Sequence, residues 1–176
     1  MATVIPRRTA PEDCQPSIEF DRLRAAGLES SPVRARLGHL IEIAKRGLPK
    51  MHTQGVFAHT ARAVETSSGK RIRLEGDNLR YATNVALGLA FLDEQEQRRI
   101  LDGRTAADLA LSTILRAETV HDDPGAVALA AWAGAEAANV HASSLFTRLE
   151  ELFEGDTPVA TVACAWTLIA ALAARH

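Results

Sequence analysis

The residues best suited to chemistry gather between positions 59 and 81. His59, Arg73, Glu75, Asp77, Arg80 and Tyr81 fall around a strand-like segment and the start of a helix. Such a group can form a polar pocket at a helix N-terminus. Arg80 would bind a carboxylate or phosphate, Tyr81 would hydrogen-bond to or stack on a sugar, and Glu75 or Asp77 would act as acid or base. A plainer account uses the same residues, with Asp77 capping the helix and Arg80 paired with Glu75. Trp132 and Trp166 offer a stacking platform for a sugar or isoprenoid, or two large core residues.

The remaining reactive types are weaker candidates. Adjacent residues such as His121, Asp122 and Asp123 seldom converge on one ion, and the two aspartates suit a helix start, so no metal is expected. Cys164 has no base nearby in sequence, and with Cys14 it makes neither a metal pair nor a disulfide framework. His39, His52 and His141 show no paired spacing. There is no phosphate-binding Walker loop, dinucleotide glycine fingerprint or zinc-protease motif. No cofactor is expected, and no residue is assigned a catalytic role.

The balance of residue types is that of an ordinary globular protein, with 47% hydrophobic and 24% charged residues. A net charge of −2 argues against nucleic acid as a partner. The charge is unevenly spread, with 14 Lys/Arg against 9 Asp/Glu in residues 1–80 and 6 against 13 in residues 81–176. That polarity helps two parts dock or a partner bind, or marks solvated helix faces. Arg7-Arg8 has no apolar run after it, so no export signal is read there. Val159–Ala174 is too short for a membrane span. The expected setting is the reducing cytoplasm, with no membrane contact.

The elements that must position these residues are mostly helices. Residues 1–30, rich in Pro, Ser and charge, are expected to form a disordered or weakly ordered tail, with at most a short helix at Phe20–Ala26. Residues 31–176 are expected to form one helical domain. Ser31-Pro32 opens a helix with Val33, Leu37, Leu40, Ile41 and Ala44 on one face, ended by Gly47 and Pro49. Residues 56–75 predict a small β-hairpin turning at Ser67–Gly69, because Ile72 and Leu74 alternate with charged residues. Two strands alone must lie against helices to be stable. Three apolar helices then begin near 78, 125 and 158, each after a turn containing Gly, Asp or Pro. Their composition predicts burial on all sides, with the more polar segments 94–101, 104–119 and 143–153 lying outside them.

This alternation resembles α/α-toroid proteins, whose inner and outer helices alternate around a ring. Thr157–Leu172, with Ala165-Trp166 and Ala171-Leu172, looks like an inner helix of such repeats. Asp123-Pro124-Gly125 to Trp132 echoes it, and Gly76–Leu89 looks like a Leu-Arg-Tyr inner helix after a hairpin. Relatives of that kind include glycosidases, polysaccharide lyases, sugar epimerases, terpene cyclases and prenyltransferase subunits. The Asp-x-Asp-Asp run of the terpene cyclases is absent. Three inner helices make about half of a six-hairpin ring, so the resemblance implies an incomplete toroid: a fragment, a truncated member or an oligomer that covers its apolar end helix.

The resemblance implies a helical domain binding a small polar or carbohydrate-like ligand, as part of a larger enzyme or assembly. The ligand would meet His59, Glu75, Asp77, Arg80, Tyr81, Trp132 and Trp166. The alternative is a non-catalytic interaction module that pairs with itself or a partner protein through its apolar helices.

Overall fold

A computed structural model of the chain describes residues 3–4, 31–53, 56–120 and 122–175. The chain divides into two units, one comprising Met1–Pro6 and Met51–His176, the other Arg7–Lys50. The expected short helix at Phe20–Ala26 and most of the expected tail lie outside the described residues. The described chain is mainly helical, with seven helices and three two-stranded antiparallel sheets. Among the described residues no helix is long and apolar enough to cross a membrane.

The first helix, α1 (Ser31–Met51), starts where the Ser-Pro pair predicts, but runs through Gly47 and Pro49. A proline this close to the C-terminus deletes a single rung, to Lys45, so it does not have to end the helix. Leu40 and Ile41, read as part of one apolar face, are exposed.

The larger unit is built from β1 (Thr3–Val4), β2 (His52–Thr53), β3 (Val56–Phe57), β4 (Thr60–Thr66), β5 (Gly69–Glu75), α2 (Leu79–Leu89), α3 (Glu94–Ile100), α4 (Ala106–Ala117), α5 (Pro124–Ala138), β6 (Val140–His141), α6 (Ser143–Glu154) and α7 (Thr161–Ala173). β4 and β5 form the expected hairpin, with Thr66 opposite Gly69 across the Ser67-Ser68 turn. Gly69 has φ +113°, a conformation that favours glycine. Val56 and Phe57 belong instead to a separate pair with β2. The hairpin strands are largely exposed and make their main contacts with each other. The expectation that helices cover them is not met.

The core forms around α5. Its residues Gly125–Ala131, Ala133 and Gly134 are buried, which requires neighbours on every side. Those neighbours are α2, α4, α6 and α7. Alanine along α5 lets their backbones come close, while Val127 and Leu129 supply bulk. Burying each of these two stabilises the fold by about 1.5–3 kcal/mol. Pro124 occupies the first turn and Asn139 ends the helix at φ 52°, a left-handed cap.

The other two apolar helices correct the expectation of burial on all sides. On α2, Ala82, Thr83, Ala86 and Leu89 face inward while Tyr81 is 51% exposed. On α7 only Ala163 and Ala170 are buried, and Leu168 and Leu172 are 62% and 50% exposed. A uniformly apolar helix is covered all round only if neighbours surround it, and among the described residues α5 packs against four other helices, α2, α4, α6 and α7.

Candidate functional site

The starts of α2 and α5 are set by local side-chain caps. Asn78, not Asp77, caps α2, its side chain accepting from Arg80 N at 2.9 Å. Asp77 is thereby released to pair with Arg116 on α4, at 2.6 Å. Asp123 caps α5, accepting from Ala126 N at 3.0 Å. α7 begins at Thr161 without a side-chain cap, three residues later than its sequence suggests. Residues Thr157–Ala160 stay outside the helix and wall a cleft.

The first turns of α2 and α5 and the start of α7 meet at one end of the bundle. Arg80 joins them. Its guanidinium grips the Asp123 carboxylate with both Nε (3.0 Å) and Nη2, a bidentate pair between the two helix starts. The same guanidinium lies 5.5 Å from the centre of the Trp166 ring on α7, within cation–π range. Gly125 makes the stack possible. A Cβ there would stand 2.8 Å from Arg80 Nη2 and 3.1 Å from Trp166 Cζ3. Partial burial would raise the Asp123 pKa, but hydrogen bonds from Arg80 and the Ala126 N–H, with the guanidinium charge, outweigh it and hold the carboxyl below its usual range.

Beside this brace opens a cleft of about 670 Å³. Its walls are Arg80 and the Asp122–Gly125 turn, Glu151 and Leu152 of α6, the Gly155–Ala160 connection and the first turn of α7. Its charged groups are one arginine against Asp122, Asp123 and Glu151, so the lining is net acidic. Arg80 already holds an internal carboxylate, which corrects its expected role as an anion receptor. Two of its five N–H donors are committed to Asp123, and three remain to donate elsewhere.

The seven residues predicted to share one pocket divide into separate groups. Arg80 and Trp166 meet, and only Arg80 lines the cleft. His59 packs its ring over the Gly76 backbone, 6.4 Å from the Tyr81 ring, and bonds Thr60 Oγ1 at 2.9 Å. A Cβ on Gly76, which has φ +80°, would stand 1.9 Å from His59 Nε2. Glu75 sits between Arg62 and Arg73, at 3.5 and 3.7 Å, and not with Arg80. Asp77 is held by Arg116. Trp132 lies seven residues beyond Gly125 on α5, about 10 Å along the helix. It packs on the core cluster, with a long contact of 3.4 Å from Nε1 to Glu136.

Sequence reasoning missed Asp123 as the partner of Arg80, and missed Glu151, Thr157 and Pro158 as cleft walls. The repeated Asp/Gly/Pro turn before each apolar helix was the available signal, because such turns cluster when the helix starts do. His121 lies outside the described residues, and Asp122 is exposed. No group of three or more potential metal ligands occurs among the described residues. Elsewhere, His52 lies against Phe57 at 4.9 Å, and burial followed by the Arg104 charge lowers its pKa below 6.5. No protein-family model, curated protein or solved structure matches the chain.

Proposed function

We propose that the chain is a helical-array domain, similar to part of an α/α toroid, that binds a neutral, hydroxyl-rich ligand of carbohydrate type in the cleft at the starts of α5 and α7. The observation that carries this reading is the cleft's wall chemistry. Carboxylates of Asp122 and Glu151 accept hydroxyl hydrogen bonds, the free N–H groups of Arg80 donate them, and Leu152, Pro158 and Val159 offer apolar surface to C–H faces. The net acidic lining disfavours phosphates and carboxylates as ligands. The array comparison is supported by the three apolar helices lying together, with α4 packed against both α2 and α5. No reaction is assigned, since fold analogy alone cannot supply one.

The test uses Trp166 as reporter. In a Trp132→Phe chain, Trp166 is the sole tryptophan. Titration with a panel of neutral oligosaccharides should shift its emission, and adding Glu151→Ala should weaken that binding about tenfold or more, equivalent to about 1.4 kcal/mol. Unchanged emission and unchanged amide shifts of Asp122–Gly125 across the panel would rule the reading out.

A second reading is favoured by the outward side of α7. Val162, Cys164, Ala165, Leu168, Ile169 and Leu172 are exposed there, with no charged residue among them. A self-associating interaction module would pair these faces between two copies, as an isologous two-fold contact. Leu168→Glu with Leu172→Glu would then convert a dimer to a monomer with its helix content intact. Trp166 is unsuitable for that test because it braces Arg80.

A further inference from the structure

The β4–β5 hairpin stands out from the helical body with both faces largely exposed, although a lone two-stranded sheet is marginal in water. Its register sets Arg62 opposite Arg73 and Val64 opposite Arg71 on one face, and Ala63 opposite Ile72 on the other. Two arginines directly across from each other repel. Glu75 offsets part of that charge, but Lys70 and Arg71 make no ion pair among the described residues. Ile72, 69% exposed, is an apolar residue without cover. The arm is therefore cationic and under-packed.

The complementary surface lies on α6 and the turn after it. Glu150, Glu154 and Asp156 are exposed and make no ion pair among the described residues. Phe153 is exposed beside them. The one cation there, Arg148, is already bonded to Glu151 at 2.6 Å and to Val120 O at 3.1 Å.

We propose that the β4–β5 arm of one copy docks on the acidic face of α6 in a second copy, reciprocally, with Arg71 and Arg73 meeting Glu150 and Glu154. One chain carries both halves of the contact, and Arg71, Glu150 and Glu154 make no ion pair among the described residues, so two copies can satisfy each other across a two-fold axis. The association depends on salt, because its charges are solvent-exposed. It involves neither the cleft nor the outward face of α7.

Sedimentation equilibrium on the whole chain tests the proposal. At about 20 mM salt the mass should be twice the 18.9 kDa monomer, falling to one monomer at about 500 mM. Arg71→Glu with Arg73→Glu should be monomeric at low salt, and so should Glu150→Lys with Glu154→Lys, each with unchanged circular dichroism. Mixing the two variants should restore the dimer, since both contacts are then attractive again. A wild-type chain that is monomeric at low salt overturns the proposal, including one that instead binds a polyanion such as heparin. So does a dimer that survives both reversals, which would place its interface elsewhere, as on α7, and so does failure of the mixture to associate.

Discussion

At the scale of residues, Arg80 and Asp123 bind the starts of two helices and Trp166 ties in a third. Removing the arginine leaves a partly buried carboxylate with only backbone support. Arg80→Ala should lower stability by about 1–2 kcal/mol in denaturant unfolding, discounted because both partners stay partly exposed. Gly125→Ala should destabilise by about 1 kcal/mol despite its better helix propensity, because its Cβ disturbs the same stack. The Asp123 pKa is depressed in the folded chain, so its contribution is complete above the unfolded value of about 3.9 and is lost as pH falls through the lower folded value. Asp123→Asn should therefore flatten the acid limb of a stability–pH curve, while the wild type keeps its slope below about pH 4. The types of these residues were legible in the sequence, but their pairing was not. Glu75 is five positions from Arg80 and Asp123 is 43, and only the packing of α2 against α5 brings the distant carboxylate nearer.

At the scale of elements, stability follows capping and burial. Thr105 and Asp108 form a reciprocal capping box at the start of α4, with Thr105 N donating to Asp108 at 2.8 Å. Its hydrogen bonds hold the Asp108 carboxyl below its usual pKa. Thr105→Ala should cost about 1 kcal/mol, read from the urea midpoint. Gly88, near the end of α2, has open space where a Cβ would go, so Gly88→Ala should stabilise by up to about 1 kcal/mol. Helix positions were readable because turn residues and apolar spacing are local. The hairpin was readable for the same reason, through Ser67–Gly69 and the alternation of Ile72 and Leu74, while the separate pairing of Val56 and Phe57 was not. Which helix would be central was not readable. The compositions of α5 and α7 are alike, and burial depends on neighbours, a property no local pattern encodes.

At the scale of the whole molecule, α5 is the hub of the larger unit, and the cleft exists because two other helices begin beside its N-terminus. Leu129→Ala should cost about 2–5 kcal/mol, since its side chain is fully buried. Leu168→Ala on the outward side of α7 should change monomer stability by less than about 0.5 kcal/mol. The uncovered α7 face follows from this layout, which leaves α2 and α7 exposed on one side.

Native-state hydrogen exchange tests that layout most directly, because it ranks the elements by the opening that exposes them. The amides of Val127–Ala133 in α5 should exchange last, through opening of the whole unit, with those of α2 and α7 exchanging earlier. If the α5 amides exchange as early as those of α7, or earlier, the central helix is not the core and the cleft built on its N-terminus loses its support.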